Sequence, residues 1–317
     1  MNSSAKRIGF GIQTAQDAAD YATVRAFWQE AEKLGYDSVW LCDHVFPVAT
    51  DRKAQMLEAW TTLAALAAQT TQIRVGTLVL CAGFRPPALV AKMAATLDVI
   101  TNGRLEFGIG AGWFEPEYVA YGYDFPRAAE RIGRMDEAVE VCKRMWTDDS
   151  PTFQGKYFRI DGAFCEPKPV QKPHPPIWVG GGGEQLTLKA VAKHADKWSC
   201  LSLTPAEVVH KIEVLNRHCS KIGRDPDEIE KTWYGTVMVD DDEQKIKDTL
   251  ERRASRRNQS VEEFTKRMIA GTPEQCVAKI ESYLAAGITY FTVNMGSLRD
   301  LRTPRVFAEK VMPHFGR

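Results

Sequence analysis

Along this chain, short runs rich in β-branched and aromatic residues alternate with stretches whose apolar positions recur at a helical period. Eight strand-like runs stand out: Ile8 to Ile12, Ser38 to Leu41, Val75 to Leu80, Leu105 to Ile109, Ile177 to Val179, Trp198 to Leu203, Trp233 to Val239 and Tyr290 to Asn294. Their apolar residues are almost unbroken instead of alternating with polar ones, the pattern of strands covered on both faces of a parallel sheet. Between them, Val24, Phe27, Ala31 and Leu34 share one helical face, with Gly35 as a left-handed stop. Val90, Met93, Leu97 and Ile100 repeat that arrangement and end at Asn102-Gly103. Thr204-Pro205-Ala206-Glu207 and Thr272-Pro273-Glu274-Gln275 each set a capping hydroxyl before a proline, with a carboxylate or amide three residues on, and so predict helix starts. Repeated βα units with eight strands predict one α/β domain over residues 1–317, a closed (β/α)8 barrel of the TIM type.

Two stretches leave the pattern. Residues 147–176 hold six prolines and a hairpin signal around Gln154-Gly155-Lys156, which reads as an insertion before the fifth strand. Residues 240–270, after the seventh strand, are charged and helical in propensity, either a mobile lid or a solvated helix pair.

Composition narrows the function classes. The 41 Lys and Arg residues balance the 41 Asp and Glu, so no net field draws the protein to nucleic acid or an anionic membrane. The chain passes from Met1 through Arg7 into its first strand without an apolar leader or span, which predicts a cytoplasmic location. Its 7 cysteines are odd in number and lack C-x-x-C spacing, so they read as reduced, mostly core thiols. The six histidines show no metal-ligand spacing, and neither a metal site nor a G-x-S-x-G hydrolase elbow is expected.

A closed barrel gathers chemistry at the C-terminal ends of its strands, where the βα loops converge. After the fifth strand, Gly180, Gly181, Gly182 and Gly183 precede Glu184 and a helix pattern. Glycines admit close backbone approach, and the orphan N–H groups of a helix start favour phosphate. A tight turn needing positive φ is the plainer reading, but it rarely requires four consecutive glycines. After the second strand come Asp43 and His44, a proton-transfer group and a carboxylate that would either fix its orientation or bond a cofactor ring. A structural Asp–His pair is the alternative. After the fourth strand, Gly108-Ile109-Gly110-Ala111-Gly112-Trp113 only superficially resembles a dinucleotide fingerprint, because the third glycine falls on Trp113 and the next helix pattern starts near Arg127. Glycines here make room for a flat ring over the barrel mouth, with Trp113 as a wall or as ordinary rim packing.

These segments, with Met56 to Ala64, Lys92 to Asp98, Phe164 to Pro169 and Val311-Met312-Pro313, resemble the luciferase-like monooxygenase superfamily over nearly the whole chain. Within it, Asp43-His44 and Gly112-Trp113 followed by Glu117-Tyr118 are similar to the branch that uses the deazaflavin coenzyme F-420. The resemblance implies hydride transfer between that coenzyme and a small organic substrate bearing C=C, C=N or an alcohol or carbonyl. It also implies a ring held by Asp43, His44, Ala111, Gly112 and Trp113 above a cis peptide at Leu78-Val79, a phosphate at Gly180 to Glu184, and a homodimer through helices near Glu58 to Gln69 and Pro86 to Ile100. FMN-dependent monooxygenases share the scaffold, so FMN with dioxygen is one alternative and a non-catalytic flavin-binding barrel another. The sugar-phosphate dehydrogenase branch has a catalytic glutamate where this chain has Trp113 and a tryptophan where it has Val48, which speaks against that substrate. His44 is the favoured proton-transfer residue, with Tyr118, Tyr121 or water as the other choices.

Overall fold

A computed structural model describes residues 7–48 and 51–316. The segment from Met1 to Lys6, on which the expectation of no leader rests, lies outside the described residues. Strand β1 (Gly9–Thr14) pairs in parallel with β2 (Ser38–Leu41), and β2 with β3 (Arg74–Thr77). Both β3 and its continuation β4 (Leu80–Cys81) pair with β5 (Leu105–Gly110). After the antiparallel hairpin of β6 (Phe153–Gln154) and β7 (Arg159–Ile160), β8 (Ile177–Gly180) pairs with β5 and with β9 (Lys197–Leu201). Strand β10 (Glu230–Val239) joins β9, carries the short β11 (Ile269–Gly271) on its far end, and pairs with β12 (Tyr290–Asn294), which closes on β1. Eight parallel staves therefore form a ring with no free edge, as the unbroken apolar runs predict.

Outside the ring lie α1 (Tyr21–Lys33), α2 (Ala59–Ala67), α3 (Pro87–Ile100), the short α4 (Glu115–Ala120), α5 (Ala128–Thr147), α6 (Thr187–His194), α7 (Pro205–Ile222), α8 (Glu243–Ser255), α9 (Val261–Thr265), α10 (Pro273–Ala285) and α11 (Arg302–Lys310). The two capping boxes form as expected, at Thr204 for α7 and Thr272 for α10. The barrel interior is plugged by Trp40, Trp178, Leu78 and Tyr290. Trp40 and Trp178 meet edge to face at 4.6 Å, and Ser38 ties both the Tyr290 hydroxyl (2.5 Å) and the Trp40 indole N–H (2.6 Å). This plug gives a ligand at the mouth a solid floor. The seven cysteines are free thiols, six buried and Cys42 half-buried. Among the described residues, no helix is long and apolar enough to cross a membrane.

Several expectations need correction. The run Val75 to Leu80 is not one strand: pairing stops at Thr77 and resumes at Leu80, across the Leu78-Val79 peptide, which is cis. The run from Trp198 ends at Leu201, because Ser202 takes a φ of 46° and donates its N–H to the Tyr234 carbonyl at 2.7 Å. Ile100 is 53% exposed. The small residues Ala91, Ala94 and Ala95 turn toward α5 and rotate the buried face of α3 away from it. A helix also begins well before Arg127, since α4 starts at Glu115 with Pro116 in its first turn.

The proline-rich insertion starts after Thr147, where α5 ends, and its hairpin is anchored by the Glu137 carboxylate, which accepts the N–H groups of Lys156 (2.7 Å), Tyr157 (2.8 Å) and Phe158 (3.0 Å). In the 240–270 segment, α8 and α9 pack around Met238, Ile246, Leu250, Ala254 and Phe264, a small cluster separate from the main core. The segment is helical, as its propensity suggested.

Candidate active site

A cavity of about 610 Å³ opens at the C-terminal ends of the staves. Asp43, His44, Leu78, Val79, Ala111, Gly112, Trp113, Gly180 and Gly181 line it. Gly182, Gly183 and Glu184 lie just past its edge, at the turn into α6. No residue of 240–270 lines this cavity.

His44 follows β2, and its Nδ1 lies 2.7 Å from Oε2 of Glu117, a buried residue of α4. The other Glu117 oxygen accepts the Val45 N–H at 2.7 Å. With a carboxylate at Nδ1, the network assigns the neutral ring its proton there and leaves Nε2 as the basic nitrogen. Asp17 also lines the cavity; burial raises its carboxyl above the usual range, and neighbouring His44 pulls it partly back.

Of the roles the sequence offered Asp43, orienting His44 is not the one its contacts show. Its carboxylate is buried and clasped by Arg85 through two hydrogen bonds (2.7 and 2.9 Å), and it accepts the Cys81 N–H at 2.9 Å. Burial raises the Asp43 carboxyl, with the Arg85 hydrogen bonds opposing. Asp43 thus ties the loop after β2 to the resumption of the broken strand, while Arg85 reaches on to Glu58 at 2.6 Å. Tyr118 and Tyr121 are also engaged elsewhere. The Tyr118 hydroxyl sits 3.0 Å from the Cys81 sulfur and is raised by burial, and Tyr121 donates to the Val45 carbonyl at 3.3 Å.

The glycines after the fourth stave serve the strand break before any ring. A Cβ on Gly110 would meet Val79 Cγ2 at 2.5 Å, and one on Gly180 would meet Val79 Cγ1 at 2.9 Å. These two positions therefore let the Val79 side chain settle between β5 and β8. Trp113 is 64% exposed and stands edge to face with His44 at 6.0 Å, a partial wall on the solvent side.

At the glycine corner, Gly181 takes a φ of 119°, open to glycine, and donates to the Ser199 carbonyl at 3.2 Å. The amides of Gly182, Gly183 and Glu184 have no hydrogen-bond partner among the described residues. Space opens beyond Gly182, where the nearest atom to an added Cβ is Lys211 Cε at 4.0 Å. The Glu184 side chain is turned away into ion pairs with Lys211 (2.7 Å) and His210 (3.0 Å), so only its backbone faces the corner. Unpaired amides ahead of a helix suit a phosphate, and the apolar floor of Leu78, Val79 and Leu80 suits a flat ring. The residues present fit a flavin-type nucleotide.

Sequence reasoning missed the parts played by Glu117, Asp17, Gln13 and Arg131, all of which line the cavity. Glu117 stood in plain view beside Tyr118, but only α4 shows that it reaches back 73 residues to His44.

Comparison with known proteins agrees with this geometry. The chain is 28% identical to an F-420-dependent glucose-6-phosphate dehydrogenase of Amycolatopsis mediterranei, with 97% of this chain and 98% of that protein aligned. In fold it is similar to an F-420-dependent secondary alcohol dehydrogenase solved with an F-420-acetone adduct (TM-score 0.83, 24% identity, 96% of this chain and 98% of that one). It is also similar to a monooxygenase from Streptomyces bottropensis (TM-score 0.81, 23% identity, 97% and 100% covered). Residues 5–290 match the family described as luciferase-like monooxygenase, and with the barrel, the broken third stave and the glycine corner in place, the chain belongs to that family.

Proposed function

We propose that this protein is an F-420-dependent oxidoreductase that moves a hydride between the deazaflavin and a small organic substrate. The observation that carries this reading is the pairing of His44 with Glu117 at one side of a cavity whose other side runs into the unpaired amides of the glycine corner. Support also comes from relatives aligned over nearly the full chain whose names specify that coenzyme. When bound, the deazaflavin supplies a carbon that accepts or gives a hydride, and the protein's share is placement and proton handling.

The amides of Gly182 to Glu184 bind the phosphate, and the floor at Leu78 and Val79 supports the ring. His44 Nε2 takes the proton from the substrate as the hydride leaves it, or returns it in the reverse direction. Glu117 holds the imidazole in the required tautomer and stabilises the imidazolium that forms. With Trp113 in place of an acid, the proton chemistry on that wall is assigned to His44, with Asp17 also lining the cavity. The enzyme is cytoplasmic in this reading and pairs with a second copy of itself, an assignment favoured by exposed Leu89, Val99 and Ile100 on α3. Light scattering that reads a monomer at working concentration removes the dimer.

The FMN-dependent monooxygenase is the alternative, since the same fold serves both classes. Anaerobic titration of the purified protein with oxidised F-420 and with FMN separates them. F-420 is expected to bind at least about tenfold more tightly, a difference of about 1.4 kcal/mol, and in a separate aerobic assay the protein is expected to support no substrate oxygenation with reduced FMN. Preferential FMN binding with substrate oxygenation would overturn the reading.

A further inference from the structure

Gln13 lies at the C-terminal end of β1, is 5% exposed, and lines the cavity between the ends of β2 and β12. Its Oε1 accepts the Tyr234 hydroxyl at 3.1 Å and Asn294 Nδ2 at 2.8 Å. The Asn294 amide cannot turn over, because its own Oδ1 accepts the Gly296 N–H at 2.9 Å. Burial pushes the Tyr234 phenol up to about 12, so it remains a donor through the neutral range. With both neighbours donating, Oε1 of Gln13 must face them and Nε2 must face the other way. No acceptor for Nε2 is found among the described residues, and the atom is not sealed from solvent, since Gln13 lines the cavity. An amide whose oxygen is held by two donors and whose N–H groups turn to a cavity is placed to meet an acceptor on a ligand.

We infer that Gln13 is a fixed amide donor for an acceptor oxygen of the bound ligand, either a carbonyl oxygen of the flavin-type ring or the alcohol or carbonyl oxygen of the substrate. The inference rests on the reading of the cavity as a coenzyme and substrate site. It deepens that reading by requiring an oxygen acceptor on the β1–β12 side, because the only groups Gln13 has left to offer are donors. A ligand presenting an N–H at this point would find no complement in Gln13. Gln13 is a binding and positioning residue, and the proton chemistry stays with His44.

The test compares wild type with Gln13→Glu and Gln13→Leu, each checked for fold by thermal melting. Fluorescence titration gives the affinity for oxidised F-420, and the coenzyme complex is then mixed with isopropanol (or, when reduced, acetone) to follow hydride transfer. Gln13→Glu keeps an oxygen for Tyr234 and Asn294 but turns a donor toward the ligand into an acceptor. If the partner is a ring oxygen, F-420 affinity falls at least about tenfold. If it is a substrate oxygen, F-420 affinity holds and the response to isopropanol or acetone falls by at least about tenfold. In either case Gln13→Leu loses less, and lowering the pH from about 7 to about 5 restores part of the Gln13→Glu loss as the new buried carboxyl takes a proton and donates again. Should Gln13→Glu not fold, Gln13→Leu, which removes the Nε2 donor outright, carries the same expectation at about threefold. Coenzyme affinity and probe response both within about twofold of wild type, in a variant that folds, overturn the inference alone. A wild-type protein that binds neither F-420 nor FMN overturns the underlying reading and the inference with it.

Discussion

Replacing His44 by Ala lowers single-turnover hydride transfer by about 100- to 10,000-fold, while affinity for F-420 stays within a few-fold of wild type. The size follows from the position of the ring. His44 presents the one nitrogen in the cavity wall whose other side is held by a buried carboxylate, with Nδ1 at 2.7 Å from Glu117. Removing it leaves the substrate proton to water, and general acid or base catalysis by a placed side chain is commonly worth two to four orders of magnitude. Binding is expected to be spared because, in the proposed reading, the corner amides and the apolar floor, not His44, would hold the phosphate and ring. Stopped-flow absorbance of the deazaflavin separates the two terms. Unchanged hydride transfer would remove His44 from the mechanism, and a parallel collapse of affinity would recast it as a binding residue.

Changing Arg85 to Met destabilises the fold by about 3–5 kcal/mol, the cost of breaking a buried ion pair from one side. Asp43 is buried, both of its oxygens accept from Arg85, and one also accepts the Cys81 N–H. Methionine fills much of the same space but leaves the carboxylate with a single backbone donor. Burial already raises the Asp43 carboxyl with Arg85 present, and without the guanidinium it is driven further toward the neutral acid. Changing Asp43 to Asn in the same chain recovers much of the loss, because the charge that needed a partner is gone. Urea unfolding of both variants reads the two numbers, and a loss below about 1 kcal/mol for the first would mean that the pair is solvated in solution.

The staves were legible because a parallel barrel buries both faces of each strand, so composition alone marks them. The break at Leu78-Val79 was legible only through family resemblance, since Val75 to Leu80 is continuously strand-like and the interruption is set by where Val79 packs between Gly110 and Gly180. The His44 partner was hidden for a related reason. Adjacency favoured Asp43, but neighbours on an extended segment point to opposite sides, and the partner comes from a six-residue helix that strand and helix periodicity cannot detect. Ile100 failed because three- and four-residue spacing fixes a helical face without telling which edge of it the neighbouring helix covers. Gln13 stayed hidden just past the Ile8 to Ile12 run, at the end of β1; its exposure to the cavity depends on barrel register, which no local pattern encodes. The turn into α6 could be read directly, because four consecutive glycines before a helix pattern mark such a corner, while what it binds rests on the proposed reading.

The account stands on one arrangement: a phosphate at the glycine corner and a flat ring beside Leu78 and Val79. A crystal structure of the protein soaked with F-420 tests it most directly. The phosphate is expected within hydrogen-bond reach of the Gly182, Gly183 and Glu184 amides, with the ring between Val79 and His44. Density for the coenzyme elsewhere on the barrel, with those amides facing only water, would contradict it.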